Sequence, residues 1–125
     1  MTRVAAIQMV SSADVGRNLA TAAELLRRAR EEGAVLAALP ENFAFMGLRE
    51  ADKLAVAEDD GSGPIQAALA DLARDLSMWI VAGTLPLRLP GDAARTAAAC
   101  LLIDADGRRV ARYDKIHLFD VSIPG

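Results

Sequence analysis

The chain has 125 residues, 53% of them hydrophobic and 25% charged, the balance of one ordinary globular domain able to bury its own core. A formal net charge of −3 excludes the basic footprint of a nucleic-acid binder. One cysteine, Cys100, excludes an internal disulfide framework, and no apolar run approaches the length of a membrane span.

Met1-Thr2-Arg3 leads straight into apolar residues without the features of a signal peptide, so a soluble cytoplasmic protein is expected. Residues 4–9 read as a first strand. Ser11-Ser12-Ala13-Asp14 is loop chemistry with several helix caps. Leu19, Ala22, Ala23, Leu26 and Ala29 then recur at helical spacing, predicting a helix over residues 17–32 that Gly33 stops. The basic cluster Arg27, Arg28 and Arg30 on that helix is interspersed with Glu24, Glu31 and Glu32, a solvated face with local ion pairs. Residues 35–39 are a second, buried strand, and a strand following a crossover helix signals a parallel pair. A short helix is expected around residues 48–56, then an acidic loop, then a helix entered at Pro64 that carries Ile65, Leu69, Leu72, Ala73 and Leu76 on one face. Residues 79–85 are strand-like, and residues 86–95 read as a loop rich in breakers. Residues 97–103 and 109–113, joined by Asp104-Ala105-Asp106-Gly107, form a hairpin. The predicted order is β-α-β-α-α-β-β-β in a single α/β domain.

Reactive groups of α/β sheets gather beyond the carboxyl ends of the strands. Glu41 stands there after the second strand, and Lys115 after the last. From position alone, a shared site and two unrelated surface residues are equally good readings. Cys100 lies inside an apolar strand, without the turn or helix start that exposes and activates a thiolate, and is expected to pack in the core. His117 is the only histidine, which suits a supporting role beside Lys115 better than a metal site. Gly61-Ser62-Gly63-Pro64 lacks the lysine and spacing of a P-loop and reads as a helix entry. Phe43, Phe45 and Met46 suit either a pocket wall or the core.

Leu39-Pro40-Glu41-Asn42-Phe43, together with Tyr113-Asp114-Lys115-Ile116-His117-Leu118-Phe119-Asp120 and Ile123-Pro124-Gly125, resembles the nitrilase, or carbon–nitrogen hydrolase, superfamily. Within it, the branch of amidases acting on ω-amides and deaminated glutathione is the most similar. Val4-Ala5-Ala6-Ile7-Gln8-Met9, Asn18, Asp60-Gly61-Ser62-Gly63-Pro64-Ile65 and Leu101-Leu102-Ile103-Asp104-Ala105-Asp106-Gly107 fit the same pattern in order.

The resemblance implies a four-layer αββα sandwich and a Glu-Lys-Cys triad, with Glu41 as the glutamate and Lys115 as the lysine. The cysteine and a second, assisting glutamate would follow beyond Gly125. Residues 1–125 are then expected to be a partial family domain, inactive alone. The resemblance further implies a small-molecule amide substrate, no cofactor, no metal and a homo-oligomer for the intact protein. Two alternatives are a non-catalytic subunit acting only through association and a small nucleotide-binding α/β domain. Against the second, Met9-Val10-Ser11-Ser12 stands where a glycine-rich turn would follow the first strand.

Overall fold

The structure is a computed structural model, and it describes residues 1–117. Five strands form one sheet in chain order: β1 (Val4–Ala6), β2 (Leu36–Leu39), β3 (Trp79–Leu89), β4 (Asp92–Ile103) and β5 (Arg109–Asp114). β1, β2 and β3 are mutually parallel, while β4 is antiparallel to both β3 and β5. All strands except β4 therefore point their carboxyl ends toward the same edge.

Helix α1 (Val15–Glu31) crosses between β1 and β2, and α3 (Pro64–Leu76) lies between β2 and β3. Asp14 caps α1 by accepting the Arg17 N–H, and Gly33, at φ 92°, follows its end in the left-handed conformation expected there. The buried stripe of α1 is Asn18, Ala22, Leu26 and Ala29. It joins Ile65, Leu69 and Ala73 of α3 over Ala37, Ile80, Ala82, Leu101 and Ile103 of the sheet. Both helices thus cover one face, giving one α layer on one β layer.

Alternation along the strands sends the intervening residues to the other face. There Val4, Leu36 and Trp79 align across β1 to β3, and Val81 pairs with Leu102. Val4 is 63% exposed and Trp79 39%, so this face is apolar and open among the described residues. Cys100 belongs to it rather than to the helix-covered core, and is half-buried. Its immediate neighbours Ala99 and Leu101 take the core side, and Gly83 opposite leaves the space its Sγ occupies.

Three further expectations change. The first strand ends at Ala6, and the short helix is a 3₁₀ turn (Glu50–Asp52) running into the single turn α2 (Lys53–Val56). Residues 86–95 are not a loop. β3 and β4 run on as a long hairpin that turns at Gly91, whose φ is 77°. Pro86 is tolerated because β2 ends opposite Ala82, so the outer part of β3 has no full-length neighbour on that side.

Candidate active site

Glu41 leaves β2 after Pro40, and Lys115 leaves β5 after Asp114, at the shared carboxyl edge. β3 and β4 separate the two strands, three inter-strand spacings or roughly 14 Å. Two long side chains span that gap. The Lys115 Nζ donates to Glu41 Oε1 at 2.7 Å, with Lys115 31% and Glu41 55% exposed. The pair lies on a cavity of about 350 Å³ whose wall also includes Asn42, Met46, Lys53 and Thr84. The structure therefore brings together the two site residues read from the sequence.

Each partner is held by its own surroundings. Asn42 takes a left-handed φ of 55°, a conformation asparagine adopts more readily than most residues, and turns the chain back beneath Glu41. Phe43, Ala44 and Phe45 then bury in the core, while Met46 stays half exposed on the cavity wall. A bulge between Gly83 and Leu85 inserts Thr84, whose hydroxyl accepts the Asn42 N–H at 3.2 Å. On the far side of the segment, Ser11 Oγ donates to the Phe43 carbonyl at 2.8 Å, and the Met46 N–H donates to the Ser12 carbonyl.

The Lys115 N–H donates to the Ala98 carbonyl of β4, extending the β4–β5 ladder by one step. Just before it, Arg112 binds Asp114 through two nitrogens, at 2.8 and 3.0 Å, and reaches Asp60 at 3.1 Å. Arg109 also pairs with Asp60. Hydrogen bonding from Arg109, reinforced by the charge of Arg112, holds the Asp60 carboxyl below the usual carboxylate range. The hydrogen bond and charge of Asp114 push the Arg112 guanidinium up.

The cavity rim carries further charge. Arg49 pairs with Asp52 at 3.1 Å, and Lys53 with Glu50 at 2.6 Å. Lys53 is mostly buried against the wall, whereas Glu50 is exposed. His117 is exposed, and residues 118–125, which complete the motif begun at Tyr113, lie outside the described residues. No group of three or more potential metal ligands exists among the described residues. No helix among them is long and apolar enough to cross a membrane.

Sequence reasoning assigns no role to the two buried polar residues among those described, Glu58 and Asn18. Glu58, within an apparently solvated acidic loop, is 5% exposed and accepts the Ile65 and Gln66 N–H groups at the start of α3. Its signal was the missing cap: Gly63 offers no side chain to the first turn, so an acceptor must come from elsewhere. A side chain on Gly63 would collide with the Glu58 carboxyl. Asn18 stands four residues before Ala22 and is thus in phase with the apolar stripe of α1, the signature of a buried amide with fixed partners.

Comparison with known proteins bears on the family and the fold. Residues 3–125 match the family model described as carbon-nitrogen hydrolase. The deaminated glutathione amidase of Synechocystis sp. is 39% identical over 120 residues, 96% of this chain and 43% of that protein. The omega-amidase NIT2 of Homo sapiens is 31% identical over 124 residues, 98% of this chain and 43% of that protein. Among solved structures, a variant of the amidase from Nesterenkonia sp. AN1, showing Michael addition of acrylamide at the active site cysteine, superimposes with a TM-score of 0.81. It is 26% identical, and the match covers 97% of this chain and 46% of that one. The chain spans less than half the length of these relatives. An α/β architecture shared with nitrilase-superfamily structures and a family match over nearly every residue lead to one assignment: the chain belongs to the carbon-nitrogen hydrolase family.

Proposed function

We propose that this chain supplies Glu41 and Lys115 to the active site of an amidase that cleaves small linear amides through a cysteine thioester. The observation that carries the reading is the 2.7 Å contact between Lys115 Nζ and Glu41 Oε1, formed across four strands on the wall of a cavity.

An amide carbon is a weak electrophile, and a thiolate is the strongest nucleophile that a protein readily offers. Glu41 takes the thiol proton as sulfur attacks the carbonyl carbon. Negative charge moves onto the substrate oxygen, and the Lys115 ammonium stabilises it in the tetrahedral intermediate. The proton held by Glu41 passes to the leaving nitrogen, the C–N bond breaks, and ammonia departs from a thioester. Glu41 then takes a proton from water, whose oxygen attacks the thioester carbon; the C–S bond breaks, the carboxylic acid leaves, and the proton on Glu41 returns to the sulfur.

Cys100 is a poor candidate for that thiol. It lies within β4 on the sheet face, it does not line the cavity with Glu41 and Lys115, and burial pushes its thiol up. In this proposal the nucleophile comes from the part of the family domain beyond residue 125, as the length of the relatives allows. The relatives' names favour a substrate bearing a carboxylate, for which Lys53, paired with the exposed Glu50, is the cation on the same cavity wall. Assembly into a homo-oligomer belongs to the same proposal and is read by size-exclusion chromatography.

The test uses the protein extended to the full family domain, assayed with a neutral small amide and a carboxylate-bearing one. Glu41→Gln is expected to lower kcat by about 10²–10⁴-fold, and Lys115→Ala by about 10²–10³-fold. Cys100→Ala should leave turnover largely unchanged. Full activity in Glu41→Gln, or its complete loss in a folded Cys100→Ala, overturns the assignment.

A further inference from the structure

We infer that Asn18 is the positioning residue for Glu41, holding the segment that carries the carboxylate at a fixed height over the sheet. The inference rests on the reading of Glu41 as the base. Asn18 is 2% exposed, although it belongs to a helix stripe otherwise made of Ala and Leu. Its amide uses both ends. Nδ2 donates to the Ala44 carbonyl at 2.9 Å and to the Ser12 carbonyl at 2.7 Å, and Oδ1 accepts the Ser12 N–H at 2.9 Å. One buried side chain thus ties α1, the loop before it and the segment after Glu41 to each other.

Ala44 is three residues from Glu41, and Phe43 and Ala44 are fully buried, so the segment has no water with which to replace a lost partner. Removing the amide leaves the Ala44 carbonyl unpaired in the core, a state that drives the backbone to shift until it finds a donor. On the cavity side the Asn42 N–H is held by the Thr84 hydroxyl alone among side-chain contacts of the described residues. The segment would then shift against its remaining side-chain ties, the Ser11 hydroxyl at the Phe43 carbonyl and the Thr84 hydroxyl at the Asn42 N–H, and carry the Glu41 carboxylate with it. Displacement of a catalytic group by about 1 Å costs roughly 10²-fold in rate. Substrate binding by the rest of the cavity is not touched. The signature is therefore a fall in kcat with KM nearly preserved.

The experiment is a double-mutant cycle in the full-length enzyme, with a small amide as substrate and rates expressed per folded molecule. Asn18→Ala is expected to lower kcat by about 10–100-fold with KM within about threefold, on the positioning argument. Glu41→Gln should cost much less in the Asn18→Ala background than alone, because the base is already misplaced. Leu69→Ala in α3, a buried residue with no hydrogen bond to the segment, controls for lost stability and should leave kcat per folded molecule unchanged. Where Asn18→Ala does not fold, Asn18→Leu takes its place in the cycle: it keeps the side-chain volume but can neither donate to Ala44 nor accept from Ser12. Unchanged kcat in the Asn18 variant beside an inactive Glu41→Gln overturns the inference alone, as does strict additivity of the two substitutions. Full activity in Glu41→Gln overturns the inference together with the reading beneath it.

Discussion

The two halves of the candidate pair are held by opposite kinds of force. The Glu41 segment is anchored by buried aromatic side chains and neutral hydrogen bonds, with Phe43, Ala44 and Asn18 out of contact with solvent. The Lys115 end adds to its backbone bond with β4 a partly exposed chain of charges running from Asp60 through Arg109 and Arg112 to Asp114. Burial fixes a backbone against salt and pH, whereas exposed ion pairs are weak and respond to both. The carboxylate side of the site is therefore the rigid reference, and the lysine side is the one that solution conditions adjust.

Three residues sharpen or break this contrast. The largest effect is expected from Phe43→Ala, which empties a fully buried aromatic site and should cost about 3–5 kcal/mol in denaturant unfolding. A cost no larger than that of a surface substitution would show that the Glu41 segment is not the rigid side. Cys100→Ala comes next, at about 1 kcal/mol for a small half-buried group. Because burial pushes its thiol up, Cys100 stays protonated at neutral pH and should react with thiol reagents more slowly than free cysteine, accelerating as pH rises. Reaction as fast as that of free cysteine would contradict its place on the sheet.

The smallest effect is expected from Asp60→Asn. Its carboxyl is held below the usual range chiefly by the Arg109 hydrogen bond, so its contribution is complete above that range and disappears as pH falls through the lowered folded value. In the Asn variant the acid limb of the stability curve should lose that contribution, and the difference from wild type should shrink with added salt. A difference independent of both pH and salt would mean that the Lys115 end is not held by charge.

Much of this arrangement is written locally in the sequence. Gly33, Pro64 and the Asp104–Gly107 turn mark element boundaries by backbone preference, and they stand where the structure uses them. The hairpin through residues 86–95 was illegible because Pro86, Pro90 and Gly91 are breakers by preference. Only the pairing with β4 and the absence of β2 on the other side make an extended course favourable. Cys100 was placed in the core from an unbroken apolar run, although strand alternation sends it to the opposite face from Ala99 and Leu101. The convergence of Glu41 and Lys115 follows from strand direction, which the order of elements already implied. Thr84 and the Asp60–Arg112 chain depend on contacts between distant segments that no local pattern encodes, and the phase of Asn18 in α1 signals its burial but not its partners.

The mixed direction of the sheet also divides the contacts that build the site into local and non-local ones. β3, β4 and β5 are joined by short turns and can zip together from neighbouring residues. β2 reaches β3 only after the chain has closed a long excursion through α2 and α3, and closing it costs entropy before any contact compensates. Lys115 thus sits in a unit built from local contacts, and Glu41 reaches it only through a non-local one. Their contact spans 74 positions of sequence. The pair closes only when β2 docks on β3, so its formation reports the joining of the parallel and antiparallel parts of the sheet.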